Sequence, residues 1–425
     1  MYLMDNIFTL NKIKQGLLIS FAFFLPISQK VSTINIVLLV IISILFLKKE
    51  HIDAEKGLLY PVILYLFYCG SLFYSSELQL GIIEQKASLL AFPVIFILNE
   101  NAIFCFRNIL KWFVLGCILA LCYCELSAFF HSINFENFVF DSRMDKSISF
   151  NKSLSNDKNY FFSYPFSIIH QTVYFAMYLS LAIAVLLYEK TVFKNILIRY
   201  LFIAFLSLGV LQTLNKAAIL VLISILLVYL FKIIKNKKIA LLGGLLLIVT
   251  GTTLFIKNPR FESFRKSIFE TKDEIKVRDF KQIKNNDPNR KNFRVMLWSS
   301  AIDLIQKNPI IGIGAGGSHN RLYEVFAVKR QWYDRKEKYH AHNQYFQILL
   351  DVGIIGFIPF LLMFHALIEV CRKNNKLKEI IISFILIIGV NLLFESMFER
   401  YSGISFFSFF YCLIISQSIN KKYEN

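Results

Sequence analysis

The feature that most constrains this chain is the repeated apolar run. A helix needs roughly 20 apolar residues to cross a bilayer's hydrocarbon. About twelve such stretches lie near 13–29, 32–47, 58–75, 82–98, 109–131, 166–187, 197–213, 217–234, 239–256, 343–370, 379–395 and 402–420. Two are poorly bounded: 82–98 opens on Glu84 and Lys86, and only a few residues part 197–213 from 217–234. Composition agrees, with 56% of the 425 residues apolar, 18% charged and a mean hydropathy of +0.53. Ordinary soluble domains carry roughly 25% charged residues, and no single aqueous core could hide this surplus. The expected fold is therefore all-α: a polytopic membrane protein of about 12 transmembrane helices. The first stretch lacks a small-residue cleavage site after Ser28 and reads as a retained span. The seven cysteines have no zinc-type spacing and read as small buried hydrophobes.

The formal charge of +18 comes from 47 basic and 29 acidic residues. Its basic residues sit in short clusters between apolar runs, without a base-stacking module, which argues against nucleic acid. Such clusters set membrane orientation, because Lys and Arg near span ends stay in the cytoplasm. With the N-terminus inside, the short inner segments hold twenty of them, whereas the outer turns hold only Lys30, Lys86, Lys216 and Arg400. That bias predicts an even number of spans with both termini cytoplasmic. The chain then divides into 1–165, N-terminal spans with an outer loop at 132–165; 166–256, central spans; 257–342, a large outer loop; and 343–425, C-terminal spans. The large loop, partly helical, carries 19 basic and 10 acidic residues over 257–340. Loops this long inside a compact protein are often functional, and chemistry is expected there.

A polar stretch at about 270–292 reads as mobile. From Phe293, the residues Leu297, Ala301, Leu304 and Ile305 recur at helical spacing and form one apolar stripe. Arg294 and Trp298, four apart, share a neighbouring face, and Arg294 either points into water or belongs to a site. Asn308-Pro309 ends that helix. The run Gly312-Ile313-Gly314-Ala315-Gly316-Gly317-Ser318 is either an anion-binding loop of converging N–H groups or a flexible turn; it is not a Walker loop. The stretch holding Arg321, Lys329, Arg330, Trp332 and Arg335 either rides anionic headgroups or is a solvated helix face. His340 and His342 stand where the loop becomes a span. No carboxylate or Cys nearby in sequence completes a metal site, so none is expected. An imidazole there either caps the helix or takes a proton near neutral pH. Lys216, in the tight outer turn Gln212–Ala218, violates the orientation bias and either snorkels or belongs to a site.

In this order the pieces resemble the O-antigen ligase and polymerase family of bacterial inner-membrane glycosyltransferases. The match comprises Arg294, Trp298 and Ala301 at fixed spacing, Asn308-Pro309, Gly312-Ile313-Gly314, His342-Asn343, Asp351-Val352-Gly353 and Gly356. The diagnostic region covers about 200–360; the first half agrees in span pattern only. The resemblance implies an essential His at His342 and a functional Arg at Arg294. It implies a further Arg in a Ser-Arg-Gly-Ala pattern where this chain has Asn215-Lys216-Ala217-Ala218, so Lys replaces Arg and keeps charge without bidentate geometry. His170, in His170-Gln171-Thr172-Val173-Tyr174-Phe175, is a secondary candidate together with His340, Asn343 and Trp298.

The implied reaction moves glycan from a polyprenyl (undecaprenyl) diphosphate donor to an acceptor hydroxyl, most simply on lipid A-core, at the periplasmic face of the inner membrane. His342 would accept the hydroxyl's proton. Lys216, Arg294, Gly314 and Arg321 would hold the diphosphate, with inversion at the anomeric carbon and no metal, nucleotide or other cofactor. A polysaccharide polymerase or a protein O-glycosylating ligase shares this chemistry. From another class, a transporter could have as many spans, but transporters place charged or broken-helix sites at midplane, often in repeated halves, and no such repeat is evident.

Overall fold

A computed structural model describes residues 2–45, 55–98, 106–134, 139–140, 159–234, 236, 238, 241–243, 245, 293–330 and 339–417. The expected span at 239–256, the polar stretch at 270–292, the basic-aromatic residues of 331–338 and most of the 132–165 loop lie largely or wholly outside them. The described chain is helical apart from a two-residue antiparallel ladder pairing Ile133 with Phe140 and Asn134 with Val139. Its helices are α1 (Tyr2–Phe24), α2 (Gln29–Leu45), α3 (Lys56–Ser71), α4 (Gly81–Lys86), α5 (Ser88–Ile97), α6 (Phe106–Ser132) and α7 (Thr172–Tyr188). There follow α8 (Ile196–Gln212), α9 (Lys216–Ile233), α10 (Phe293–Lys307), α11 (Ala315–Arg330), α12 (Gln344–Lys373), α13 (Lys378–Phe394) and α14 (Tyr401–Ser416).

Two helices form the centre. α7 is buried continuously from Tyr174 to Leu187, and α14 from Ser402 to Ser416. A helix apolar on every face belongs in a large core or a membrane. Tyr178 of α7 meets Phe406 of α14 with ring centroids 5.0 Å apart, and Phe410 stacks edge-on with Phe113 of α6 at 4.7 Å. The outer helices stay apolar on the side facing away from this core: Leu66, Leu119, Leu126, Leu201, Ile354 and Ile358 are all exposed. Soluble monomers rarely show so much contiguous apolar surface, whereas a bilayer solvates it. This is a membrane protein.

Full-length crossings among the described residues account for part of the expected total of about twelve spans. Among the described residues three helices, α6, α9 and α12, are long and apolar enough for a full crossing. Five further apolar helices, α2, α5, α7, α8 and α14, have 10–17 residues. The expected span at 82–98 is in fact two helices, α4 and α5, that meet at Ala87.

The break in α12 positions everything above the bundle. Gly353 has φ 63° and ψ −163°, so the helix interrupts itself there. Interruption frees the Leu350 and Asp351 carbonyls and the Ile354 and Ile355 amides, which need partners when buried. The 309–314 segment supplies them. Ile313 donates to Leu350 O at 2.7 Å and Gly314 to Asp351 O at 3.1 Å, while Ile354 donates to Pro309 O at 2.9 Å and Ile355 to Ile310 O at 3.2 Å. A Cβ on Gly353 would stand 2.2 Å from Ile310 O, and one on Gly312 2.5 Å from Leu350 O. Only glycine permits this approach, with positive φ at both positions.

Candidate active site

Four segments converge beside this dock. α10 lies on α11 and the upper part of α12 through Leu297, Ala301 and Leu304, which form a satellite core with Leu322, Phe326, Ala341 and Leu350. The expected apolar stripe is this face. With it packed inward, Arg294 emerges in the first turn, exposed, and reaches outward from the satellite core. Trp298, one turn on, donates from Nε1 to Ala341 O at 3.0 Å and sets its ring edge-on to Phe346. Trp298 thereby pins the histidine segment to α10.

That segment is tightly specified. Ala341, fully buried, donates its N–H to Gln347 Oε1 at 2.9 Å. Asn343 caps α12, its side-chain oxygen accepting from Phe346 N at 3.1 Å. Between them His342 has φ 46°, a left-handed conformation uncommon outside glycine. Its backbone N–H donates to His340 Nδ1 at 3.3 Å. The neutral His340 ring therefore keeps its proton on Nε2, which faces Glu395 Oε1 at 3.8 Å. The two imidazoles lie against each other with centroids 4.1 Å apart.

Glu395 is the residue that spacing did not reveal. It follows α13 directly and turns its other oxygen, Oε2, toward His342 Nδ1 at 3.6 Å. Burial alone would raise its carboxyl, but the His342 contact, the two neighbouring imidazoles and the Arg294 guanidinium outweigh burial and hold it below the ordinary carboxylate range. Burial, reinforced by neighbouring His342, depresses His340 to about 4, so that ring stays neutral. His342 is the more exposed of the pair, its side chain 27% accessible against 13% for His340. Its Nδ1 faces the Glu395 carboxylate, which leaves Nε2 on the opposite edge of the ring.

The turn between α8 and α9 brings the second cation. Leu214 sits at φ 51°, and Asn215 caps α9 by accepting from Ala218 N at 2.9 Å, which starts the helix at Lys216. Arg294 acts electrostatically on Lys216 as well as on Glu395. Lys216, Arg294, His340, His342 and Glu395 therefore form one neighbourhood, assembled from α9, α10 and the segments before α12 and after α13. The liganding atoms of His340, His342 and Glu395 lie within 4.8 Å of one another, so the three could hold a divalent ion. The sequence expectation lacked a third ligand because Glu395 arrives from beyond α12 and α13.

Three candidates fall elsewhere. Arg321 lies on an exposed face of α11, 3.4 Å from Glu324. Gly314 has its N–H taken by Asp351, so the glycine run is neither a free cradle nor a loose turn but the dock on broken α12. His170 is buried, 3.1 Å from Ser402 Oγ at the start of α14.

A second charged cluster backs the first. Lys86 is buried, not in an open outer turn; its ammonium pairs with Glu399 and donates to Phe398 O at 2.7 Å. The other oxygen of Glu399 faces His319 Nε2 at 3.5 Å. Burial would raise the Glu399 carboxyl, but Lys86 and His319 hold it below the usual range. Burial would lower His319, but Glu399 prevails and raises it. This network fixes the 395–400 turn and with it the height of Glu395.

These features define a class: a helical membrane protein with a cationic, imidazole-bearing site above its bundle. Residues 201–361 match the family described as O-Antigen ligase. The match runs from α8 into α12 and contains Lys216, Arg294, His340 and His342, but stops short of Glu395. An uncharacterized protein of Haemophilus influenzae is 24% identical over 196 residues, covering 44% of this chain. The chain spans about half the length of that curated relative, 48%.

Proposed function

We propose that this protein transfers glycan from a polyprenyl diphosphate to an acceptor hydroxyl at the periplasmic face of the inner membrane, both termini being cytoplasmic. The observation that carries the reading is the convergence of a carboxylate-backed imidazole with two cations. As the anomeric bond breaks, negative charge grows on the departing diphosphate. Arg294 and Lys216 stabilise it there, a preorganised electrostatic role that strengthens in the transition state. His342 Nε2 takes the acceptor hydroxyl's proton while the oxygen attacks the anomeric carbon from the face opposite the diphosphate, inverting it. Glu395 orients the ring and stabilises the imidazolium that forms, as the carboxylate of a hydrolytic triad does. The cleaved donor bond drives the transfer.

Lipid A-core is the acceptor we favour, which makes the protein a ligase. Deleting the gene and examining the surface glycolipid tests this. Loss of long chains with accumulation of lipid-linked polymer is the expected result. Accumulation of single lipid-linked repeats would instead assign a polymerase, and unchanged glycans would refute both.

A further inference from the structure

A cavity of about 300 Å³ opens at the start of α14, beside the 395–400 turn. Arg400, Gln29, Gln171, Tyr174, Ser402 and Glu399 line it. That volume equals roughly ten liquid waters, enough for one sugar ring with its substituents. The lining is polar although α7 and α14 are buried along almost their whole length. Tyr174 carries the sharpest signal: the residue is 1% exposed, yet its hydroxyl has no hydrogen-bond partner. Buried phenols normally find one. Its ring is set against Gly403, where a Cβ would come within 2.8 Å of Cε1, so the hydroxyl is held in place.

The charge of the cavity is positive. Glu399 is neutralised by Lys86 and His319, and Arg400 makes no ion pair among the described residues. The first turn of α14 adds backbone N–H groups that no helical carbonyl satisfies. Gln29 donates to Ser402 Oγ at 2.9 Å, and that hydroxyl lies 3.1 Å from His170 Nδ1, so His170 braces the wall. Tyr174 is within electrostatic reach of both Glu395 and Arg400. Glu395 and Arg400 stand five positions apart, at most about 18 Å of chain, so the cavity lies on the same 395–400 turn as Glu395.

We propose that this cavity is a carbohydrate subsite for a ring bearing a negative group, with Arg400 taking the anion and Tyr174 and Gln171 taking hydroxyls. Calling the ligand a sugar rests on the glycosyltransfer reading; the binding test does not depend on transfer.

Binding of glucuronate, glucose and pyrophosphate to the full chain in detergent, measured by calorimetry or saturation-transfer NMR, decides the matter. Glucuronate should bind at least about tenfold more tightly than glucose, as a charge-assisted pair implies. Arg400→Gln should erase that preference, and Arg400→Lys should retain part of it. Tyr174→Phe should weaken both sugars about three- to tenfold, the worth of one hydrogen bond. Equal binding of glucose and glucuronate, no binding of either, or an unchanged preference in Arg400→Gln would overturn the proposal. So would pyrophosphate binding that depends on Arg400 and excludes glucuronate, which would make the cavity a diphosphate site. Failure of the glycosyltransfer reading would look different: glucuronate binding intact, no transfer from lipid-linked glycan.

Discussion

The turn at 395–400 feeds a carboxylate into each of two charged clusters, and they resolve their charge in opposite ways. Around Glu399 the ions close on one another: Lys86 and His319 take both of its oxygens, and the Lys86–Glu399 pair is buried. Around Glu395 the ions stay open: two imidazoles share one carboxylate at longer range, and Arg294 and Lys216 add positive charge to the same neighbourhood. A closed network specifies a structure, whereas an open one leaves capacity for a substrate. A cluster's unspent charge, more than its size, separates a site from a strut.

The contrast can be broken from either side. His342→Ala should lower glycan transfer by about 10²–10⁴-fold, the usual worth of a general base, with the melting temperature unchanged. Full activity of the variant in reconstituted vesicles would remove His342 from the chemistry. Lys86→Met should do the reverse, costing about 3–5 kcal/mol of stability by stranding Glu399. Pairing it with Glu399→Leu should recover most of that loss, and a double variant no better than the single would show the pair is not the strut described. Glu395→Gln is expected to reduce turnover by about 10–100-fold, by analogy with outer-shell partners of a functional imidazole, while leaving donor KM near wild type. A large KM effect alone would assign Glu395 to binding.

The smallest effect is a pH signature, and the buried histidines of the two clusters, His340 and His319, should differ in its sign. His340 stays neutral in the fold down to about 4, against an ordinary 6.5. As pH falls through that window the unfolded chain binds a proton that the native chain refuses, so stability drops. Glu395, held below its ordinary value, gives stability that is present above that value and is lost deeper in acid. His319 is raised, so its contribution is full in acid and disappears as pH rises through its folded pKa. Melting curves of His340→Gln should flatten the acidic limb and those of His319→Gln the alkaline one. Parallel changes in both variants would contradict the division.

Sequence alone made part of this site legible. Arg294, Trp298 and His342 could be gathered because helical spacing and a loop-to-span junction are local signals, and Lys216 stood out as a charge on the wrong side. Glu395 could not be found that way. It ends an apolar run, and nothing in the run says that its carboxylate meets a histidine two helices earlier. Lys86 misled for the same reason: near a span end an exposed lysine and a buried ion-paired one read alike. The glycine run suggested an anion or a loose turn, whereas its partner was a broken helix some forty residues on, and only backbone hydrogen bonds reveal that. Helix lengths were overestimated where apolar runs continue through breaks, as at Ala87.

Because the α12 interruption at Gly353 is answered by main-chain atoms of Pro309, Ile310, Ile313 and Gly314, the seating of the outer helices on the bundle is independent of most side chains between them. The exposed side chains of Ile310 and Ile311 are thus free to vary without shifting that main-chain dock. The same coupling works against loosening: prising α10 and α11 outward would expose four buried peptide bonds at once. The rim above the bundle is therefore fixed by main chain at this point.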